Sequence, residues 1–125
     1  MKTTIRRLPD SELEVMQVLW ELEKPATRSA VEAALKDVHP MAQTTVLTLL
    51  SRLAEKGFVR IEKAGRGSVY SPSVEKREYL AAQSRRFFDK LCGGSVSTFA
   101  AALCDSELSG EELAELRRLL EEHAL

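Results

Sequence analysis

The sequence predicts a mainly α-helical fold with one small β-hairpin. The stretch TTVLTLLSRLAEKGFV, residues 44–59, repeats apolar residues at the i, i+3, i+4, i+7 spacing of a buried helical stripe. The period changes to alternation over residues 58–64, which favours a strand. Helical spacing returns after Pro72. With 125 residues the chain forms one domain, or a domain with a small helical appendage.

Two helices are predicted before the central stretch. Ser11 and Glu14 have the spacing of a capping box at the start of the first helix, which ends before Pro25. Thr27 can cap a second helix that runs to about Lys36.

A third helix and a hairpin follow. The helix is expected over residues 42–56, with Gly57 as its left-handed C-terminal cap. Residues 58–64 and 68–72 read as two strands around the glycine-flanked turn 65–67, which places an arginine at the hairpin tip. Three helices followed by a two-stranded hairpin is the order of a winged helix-turn-helix, so residues 1–74 are predicted to be a winged-helix domain.

Residues 75–125 are predicted to be a separate helical region. Amphipathic helices are expected over 75–91, 96–103 and 109–120, the last opened by a capping box of Ser109 and Glu112. These short helices are near the lower limit for an independent core, so a second copy of the chain is the simplest partner for their apolar stripes. The predicted dimer contacts are Leu80, Phe87, Phe88, Leu91, Phe99, Leu103, Leu113, Leu116 and Leu120.

The outer face of the third helix carries short hydroxyl side chains where helices usually carry Glu, Lys or Gln. Threonine offers a hydroxyl and a methyl to base edges, Gln43 can bond adenine, Leu47 can pack on a thymine methyl and Arg52 can reach phosphate. A plain polar helix face is the alternative for this helix taken alone, and the helix order with its hairpin favours DNA. The predicted contacts are Gln43, Thr44, Leu47, Thr48, Ser51 and Arg52 on the helix, with Arg66 and Ser68 on the hairpin.

The charge pattern agrees with a local nucleic-acid surface. The net charge is only −1, but residues 1–70 carry 11 Lys and Arg against 9 Asp and Glu. Five basic residues fall close together: Arg52, Lys56, Arg60, Lys63 and Arg66. Glu55 lies on the outer face of the third helix, with the hydroxyl residues, where it would repel phosphate. A module that only binds proteins would instead carry an apolar or acidic outer face.

Catalytic and metal-binding functions find no support in the sequence. It has no glycine-rich phosphate loop and no nucleophile–histidine–carboxylate set, so an enzyme and a cofactor are not expected. Cys92 and Cys104 stand apart without a CxxC motif, which favours core positions over a metal site. His39 and His123 read as surface residues without partners. With no signal peptide and no membrane-spanning run, the protein is expected to be cytoplasmic.

Four stretches resemble one known family. They are ELEVMQVLWE (12–21), TTVLTLLSRLAEKGFV (44–59), GRGSVYSP (65–72) and LSGEELAELRRLL (108–120). Together they are similar to the penicillinase and methicillin-resistance repressors, the BlaI/MecI/CopY family, over nearly the whole chain. The second stretch is the most specific of the four.

The resemblance implies a homodimeric repressor whose winged helices read a palindromic double-stranded DNA operator, controlling a β-lactam-resistance-like or other stress-response operon. It implies base contacts at Gln43, Thr44, Leu47 and Thr48, and phosphate contacts at Arg52 and Arg66. Relatives carry a polar or basic residue where this chain has Leu47.

The resemblance divides on regulation. One branch answers to a membrane sensor-protease pathway and is cut at an Asn-Phe bond, but residues 100–103 here are AAAL. The copper branch binds metal through a C-terminal cysteine cluster, whereas this chain has two cysteines in all. The inducing signal is therefore not implied.

Overall fold

Six helices and three short strands make up the part of the chain that the computed structural model describes, residues 5–123. The helices are α1 (Asp10–Leu22), α2 (Arg28–Leu35), α3 (Gln43–Glu55), α4 (Lys76–Arg86), α5 (Val96–Asp105) and α6 (Gly110–His123). The strands are β1 (Ala26–Thr27), β2 (Val59–Ala64) and β3 (Gly67–Pro72). The predicted fold class, mainly helical with a small hairpin, is confirmed. None of the helices in residues 5–123 is long and apolar enough to cross a membrane.

Helix α1 begins one residue earlier than its predicted cap. The carbonyl of Pro9 accepts the first helical bond from the backbone of Leu13, at 2.9 Å. Because the helix is already formed at Ser11, that residue cannot serve as the cap, and the capping box of Ser11 with Glu14 is wrong. The helix ends as expected before Pro25, through Glu23 in the left-handed conformation.

The caps predicted for α2 and α3 are confirmed. The Thr27 hydroxyl accepts a hydrogen bond from the backbone N–H of Ala30 at 3.2 Å. After α3, Gly57 adopts a φ of +82°. The N–H of Phe58 then donates to the carbonyl of Leu53 at 2.9 Å, the long bond of a Schellman motif. The chain therefore leaves α3 directly into β2.

The three strands form one antiparallel sheet in the order β1-β3-β2. Strands β2 and β3 pair from Val59 opposite Pro72 to Ala64 opposite Gly67, so Gly65 and Arg66 form a two-residue loop at the tip. Strand β1 was not predicted, because two residues show no periodicity. The expected alternation of β2 is absent as well: only Val59 is buried, since the rest of this edge strand extends beyond the core.

Helices α1, α2 and α3 pack with the sheet around one apolar core. The largest side chains that are wholly enclosed there are Phe58, Met16, Leu19, Leu35, Leu50, Leu53, Val15, Val31 and Val46. Burying this many aliphatic and aromatic side chains is the main source of stability for a domain of this size.

The first compact unit includes the start of α4 and extends through Ala82. Tyr79 is the reason, because it is buried and its hydroxyl accepts a hydrogen bond from the backbone N–H of Leu8 at 3.0 Å. Its ring lies 5.8 Å from that of Trp20 and 5.9 Å from that of Phe58, measured between centroids. The boundary predicted after residue 74 falls before this anchoring residue.

The second compact unit begins at Gln83 and holds the C-terminal helices. A π-helical turn, Phe87–Leu91, follows α4. Edge-to-face contacts place the rings of Phe87 and Phe88 at 5.6 and 5.8 Å from that of Phe99. The capping box of Ser109 and Glu112 is confirmed, with both reciprocal hydrogen bonds present (2.9 and 3.0 Å).

The two cysteines differ in their surroundings. Cys92 is buried, as predicted for a core residue, whereas Cys104 is exposed on α5. The core position expected for Cys104 is therefore wrong, because the residue falls outside the apolar stripe of Phe99 and Leu103. Both thiols are free.

Candidate nucleic-acid interface

The outer face of α3 is open to solvent along its length. The inner side is buried through Val46, Leu49, Leu50 and Leu53. Each residue predicted to contact DNA from this helix is exposed: Gln43, Thr44, Leu47, Thr48, Ser51 and Arg52. These positions extend over about 13 Å of helix. No acidic side chain lies between the first and the last of them, which argues against a surface made for basic protein partners.

A groove of about 310 Å³ runs between the start of α1 and this face. Four hydroxyl residues and an arginine line it, together with a leucine: Ser11, Thr44, Thr45, Thr48, Arg52 and Leu49. Hydroxyls beside a guanidinium can bind a phosphate group of nucleic acid. Ser11 and Thr45 were not among the predicted contacts. Ser11 lies here only because α1 packs against α3.

A second groove, of about 300 Å³, lies on the hairpin side of α3. Its lining comes from β1, the start of α2, α3 and β3: Thr27, Arg28, Ser29, Leu47, Gly67, Ser68 and Tyr70. The fold thus joins Leu47 and Ser68, two predicted contacts that are distant in sequence. Arg66 lines neither groove and lies at the exposed hairpin tip, next to Gly67 of the second groove.

The hydroxyl of Thr48 is bound to the helix itself. It donates to the backbone carbonyl of Thr44 at 2.9 Å, one turn earlier. The side chain is exposed, so its γ-methyl is the branch that is not held against the backbone.

The family follows from comparison with known proteins. The model of the penicillinase repressor family matches residues 8–122. The chain belongs to this family. The penicillinase repressor of Bacillus licheniformis is 32% identical over 120 residues, which cover 95% of this chain and 93% of that protein. The methicillin resistance regulatory protein MecI of Mammaliicoccus sciuri is 27% identical over 114 residues, covering 90% and 92%.

A solved structure of the BlaI repressor supports the same fold. The monomeric form of Bacillus licheniformis BlaI, in complex with the blaP half-operator, is 33% identical with a TM-score of 0.51. The match covers 60% of this chain and 90% of that one. The resemblance read from the sequence is therefore confirmed. The protein is a winged-helix, DNA-binding transcriptional repressor, and its family is one of repressors rather than of enzymes.

The basic cluster of this penicillinase repressor-family protein is smaller than the sequence suggested. Lys56 donates to the buried carboxylate of Glu12 at 2.6 Å, and Arg60 donates to Glu62 at 2.7 Å. Three members form no ion pair with any carboxylate of residues 5–123: Arg52, Lys63 and Arg66. Arg60 is held only by an exposed pair, which is weak, so Lys56 is the one member of the cluster tied to a buried carboxylate.

His39 has a partner that sequence reasoning did not find. Its Nδ1 lies 2.6 Å from a carboxylate oxygen of Glu14, and its side chain remains 58% exposed. The contact joins the connection between α2 and α3 to α1. Among the described residues, no cluster of histidine, cysteine and carboxylate side chains is suited to a metal ion.

Proposed function

We propose that this repressor binds a specific operator by inserting α3 into the major groove of double-stranded DNA. The outer face of α3, exposed and free of acidic side chains between Gln43 and Arg52, is the observation that carries the proposal. An α-helix is about 10–12 Å wide with its side chains, and the major groove is about 12 Å wide.

The two grooves beside α3 suit the two phosphate backbones that border a major groove. Ser11 and Arg52 supply a hydroxyl and a cation on the α1 side. Arg28 and Ser68 supply the same groups on the hairpin side. Arg28 also pairs with Glu32 one turn along α2, which holds its guanidinium near the helix. Arg66, at the tip of the hairpin, would contact the phosphate backbone of the DNA beyond the groove.

The proposal extends to the predicted base contacts. Gln43, Thr44, Leu47 and Thr48 are exposed, as is Thr45, in the first two turns of α3, where a recognition helix contacts base edges. Ser51 lies one turn further along, in the same row as Leu47. These residues would determine which operator is bound, while the arginines would supply affinity for any duplex.

We further propose that the repressor acts as a homodimer on a palindromic operator. Several apolar side chains of the predicted contact remain exposed, Leu91 by 75%, Leu120 by 60% and Leu80 by 53%. The others are partly buried or at the edge of exposure: Phe87, Phe88, Phe99, Leu103, Leu113 and Leu116. A twofold dimer would cover these side chains, and its symmetry would be mirrored in the operator.

Operator selection from a random duplex library tests the function directly. Full-length protein should enrich related sequences with two inverted half-sites whose centres lie a near-integral number of helical turns apart. Affinity for the selected duplex, followed by fluorescence anisotropy, should fall steeply as salt is raised, because bound cations release counterions. Failure to enrich any sequence would contradict specific recognition. A genome-wide binding map would then show whether the targets are a β-lactam-resistance-like or another stress-response operon.

The regulatory partner that the family resemblance suggests is a sensor-protease pathway. The segment that corresponds to the cleavage site, residues 100–103, lies within α5 and lacks the Asn-Phe pair. If this chain is cleaved at all, we expect cleavage elsewhere. Mass spectrometry of the protein recovered from induced cells would locate the cut.

A further inference from the structure

We propose, on the premise of the function proposed above, that Leu47 and Thr48 recognise the C5-methyl groups of thymines in the operator. The two residues are neighbours in sequence and are exposed near the middle of the outer face of α3. Both present carbon rather than hydrogen-bond donors to a bound duplex.

The hydroxyl of Thr48 is engaged by the backbone of its own helix. A threonine hydroxyl has a single hydrogen, and here it is donated to the carbonyl of Thr44 at 2.9 Å. While this bond is made, the oxygen can still accept a hydrogen bond, but it has no hydrogen left to donate to guanine or to a thymine carbonyl. The groups left for a base edge are therefore the γ-methyl and an acceptor.

Leu47 is an exposed apolar side chain on the outer face of α3. Single exposed leucines are common on protein surfaces and carry no meaning alone. This one is 38% exposed on the face that is otherwise polar, and it lines the groove between α3 and the hairpin together with Tyr70. Only the thymine methyl offers an apolar group in the major groove of unmodified DNA.

Polar side chains lie on either side of Leu47 and Thr48 along the outer face of α3. Gln43, a donor and an acceptor, lies one turn before Leu47, and Arg52 lies one turn after Thr48. Amide and guanidinium groups thus border a central pair that presents methyl groups and one acceptor oxygen. This order fits a half-site with A·T pairs at its centre, whose thymine methyls face the protein.

Replacing thymine by uracil tests the inference, because it removes the methyl and leaves every hydrogen-bonding group of the base unchanged. Duplexes obtained by selection with the full-length protein would carry uracil at one thymine at a time. At one or two positions of each half-site the affinity should fall about fourfold, the value of one buried methyl group. Selection of an operator in which no uracil substitution weakens binding would overturn the inference and leave the proposed function intact.

Two variants of Thr48 separate the methyl from the hydroxyl. Thr48→Val keeps a γ-methyl and loses the hydroxyl, so the ratio of affinities for thymine and uracil duplexes should stay near that of the parent. Thr48→Ser keeps the hydroxyl and loses the methyl, so at its own position that ratio should fall to about one. The reverse pattern would show that the hydroxyl reads the base and would overturn the role of Thr48.

Leu47→Ala completes the test. The variant should bind the thymine duplex more weakly than the parent, and uracil at the position it contacts should cause no further loss. Equal losses from uracil in the parent and in the variant would show that Leu47 does not contact a methyl. Thermal unfolding of each variant would establish that it is folded. If the parent protein selected no sequence at all, the proposed function itself would be contradicted.

Discussion

The Nζ atom of Lys56 lies 2.6 Å from a carboxylate oxygen of Glu12, whose side chain is only 4% exposed. The pair joins the residue after α3 to the first turn of α1. It therefore fixes the C-terminal end of the helix that we propose enters DNA, and it removes one cation from the surface cluster.

We expect Lys56→Met to destabilise the first unit. The change leaves the Glu12 carboxylate buried without its partner, and because the lysine is 24% exposed we expect a loss of about 2–3 kcal/mol in the free energy of unfolding. The double variant Glu12→Leu with Lys56→Met should be more stable than the single one. Arg118→Ala, which breaks an exposed pair with Glu122, should cost less than about 0.5 kcal/mol. Urea unfolding measures all three.

Arg66→Ala should weaken binding to every duplex by a similar factor. The side chain lies at the hairpin tip without an ion pair to the described residues, so its proposed contact is with phosphate. The slope of log affinity against log salt should decrease in magnitude by about one. Arg118→Ala removes the same charge from α6 and serves as the control. A loss confined to the selected operator would contradict a phosphate contact.

Glu55→Gln should strengthen DNA binding at low salt. Glu55 is exposed at the last position of α3, where its negative charge repels phosphate and opposes the helix dipole. We expect a gain of up to about threefold that disappears as salt screens the charge. Glu122→Gln, the same change far along the chain, is the matched control. Unchanged affinity at low salt would place this end of α3 well away from the duplex.

Leu91→Glu should convert the proposed dimer to a folded monomer. Leu91 is 75% exposed, so the substitution adds a charge to the proposed contact without disturbing buried packing. Sedimentation equilibrium should show a dimer for the parent and a monomer for the variant, with circular dichroism unchanged. Lys90→Gln alters the net charge by the same amount at the neighbouring position and should leave the dimer in place. A parent protein that stays monomeric at micromolar concentration would contradict the homodimer.

Gly57→Ala should lower the free energy of unfolding by about 1–2 kcal/mol, the cost of the left-handed conformation for a residue with a β-carbon. The loss would be strain alone, because no atom lies within 4 Å of the added carbon. Gly67→Ala has equal space and no positive φ, so it should cost much less. Equal losses for the two variants would refute the strain explanation.

The helices, the hairpin and the exposed residues of α3 could be predicted from the sequence alone. Caps, glycine turns and helical periods depend on neighbours within a few positions, so most of them can be read along the chain; the cap of α1 and the alternation of β2 are the exceptions. The Thr48 to Thr44 hydrogen bond is of this local kind and could also have been anticipated.

Which distant side chains meet could not be predicted, because it depends on how the helices and the sheet pack. Packing of α1 on α3 paired Glu12 with Lys56 and placed Ser11 beside the outer face of α3. Addition of β1 to the sheet and burial of Tyr79 had no local signal either. These contacts join segments tens of residues apart, and their partners are chosen by how the apolar faces pack together, which no short stretch of sequence specifies.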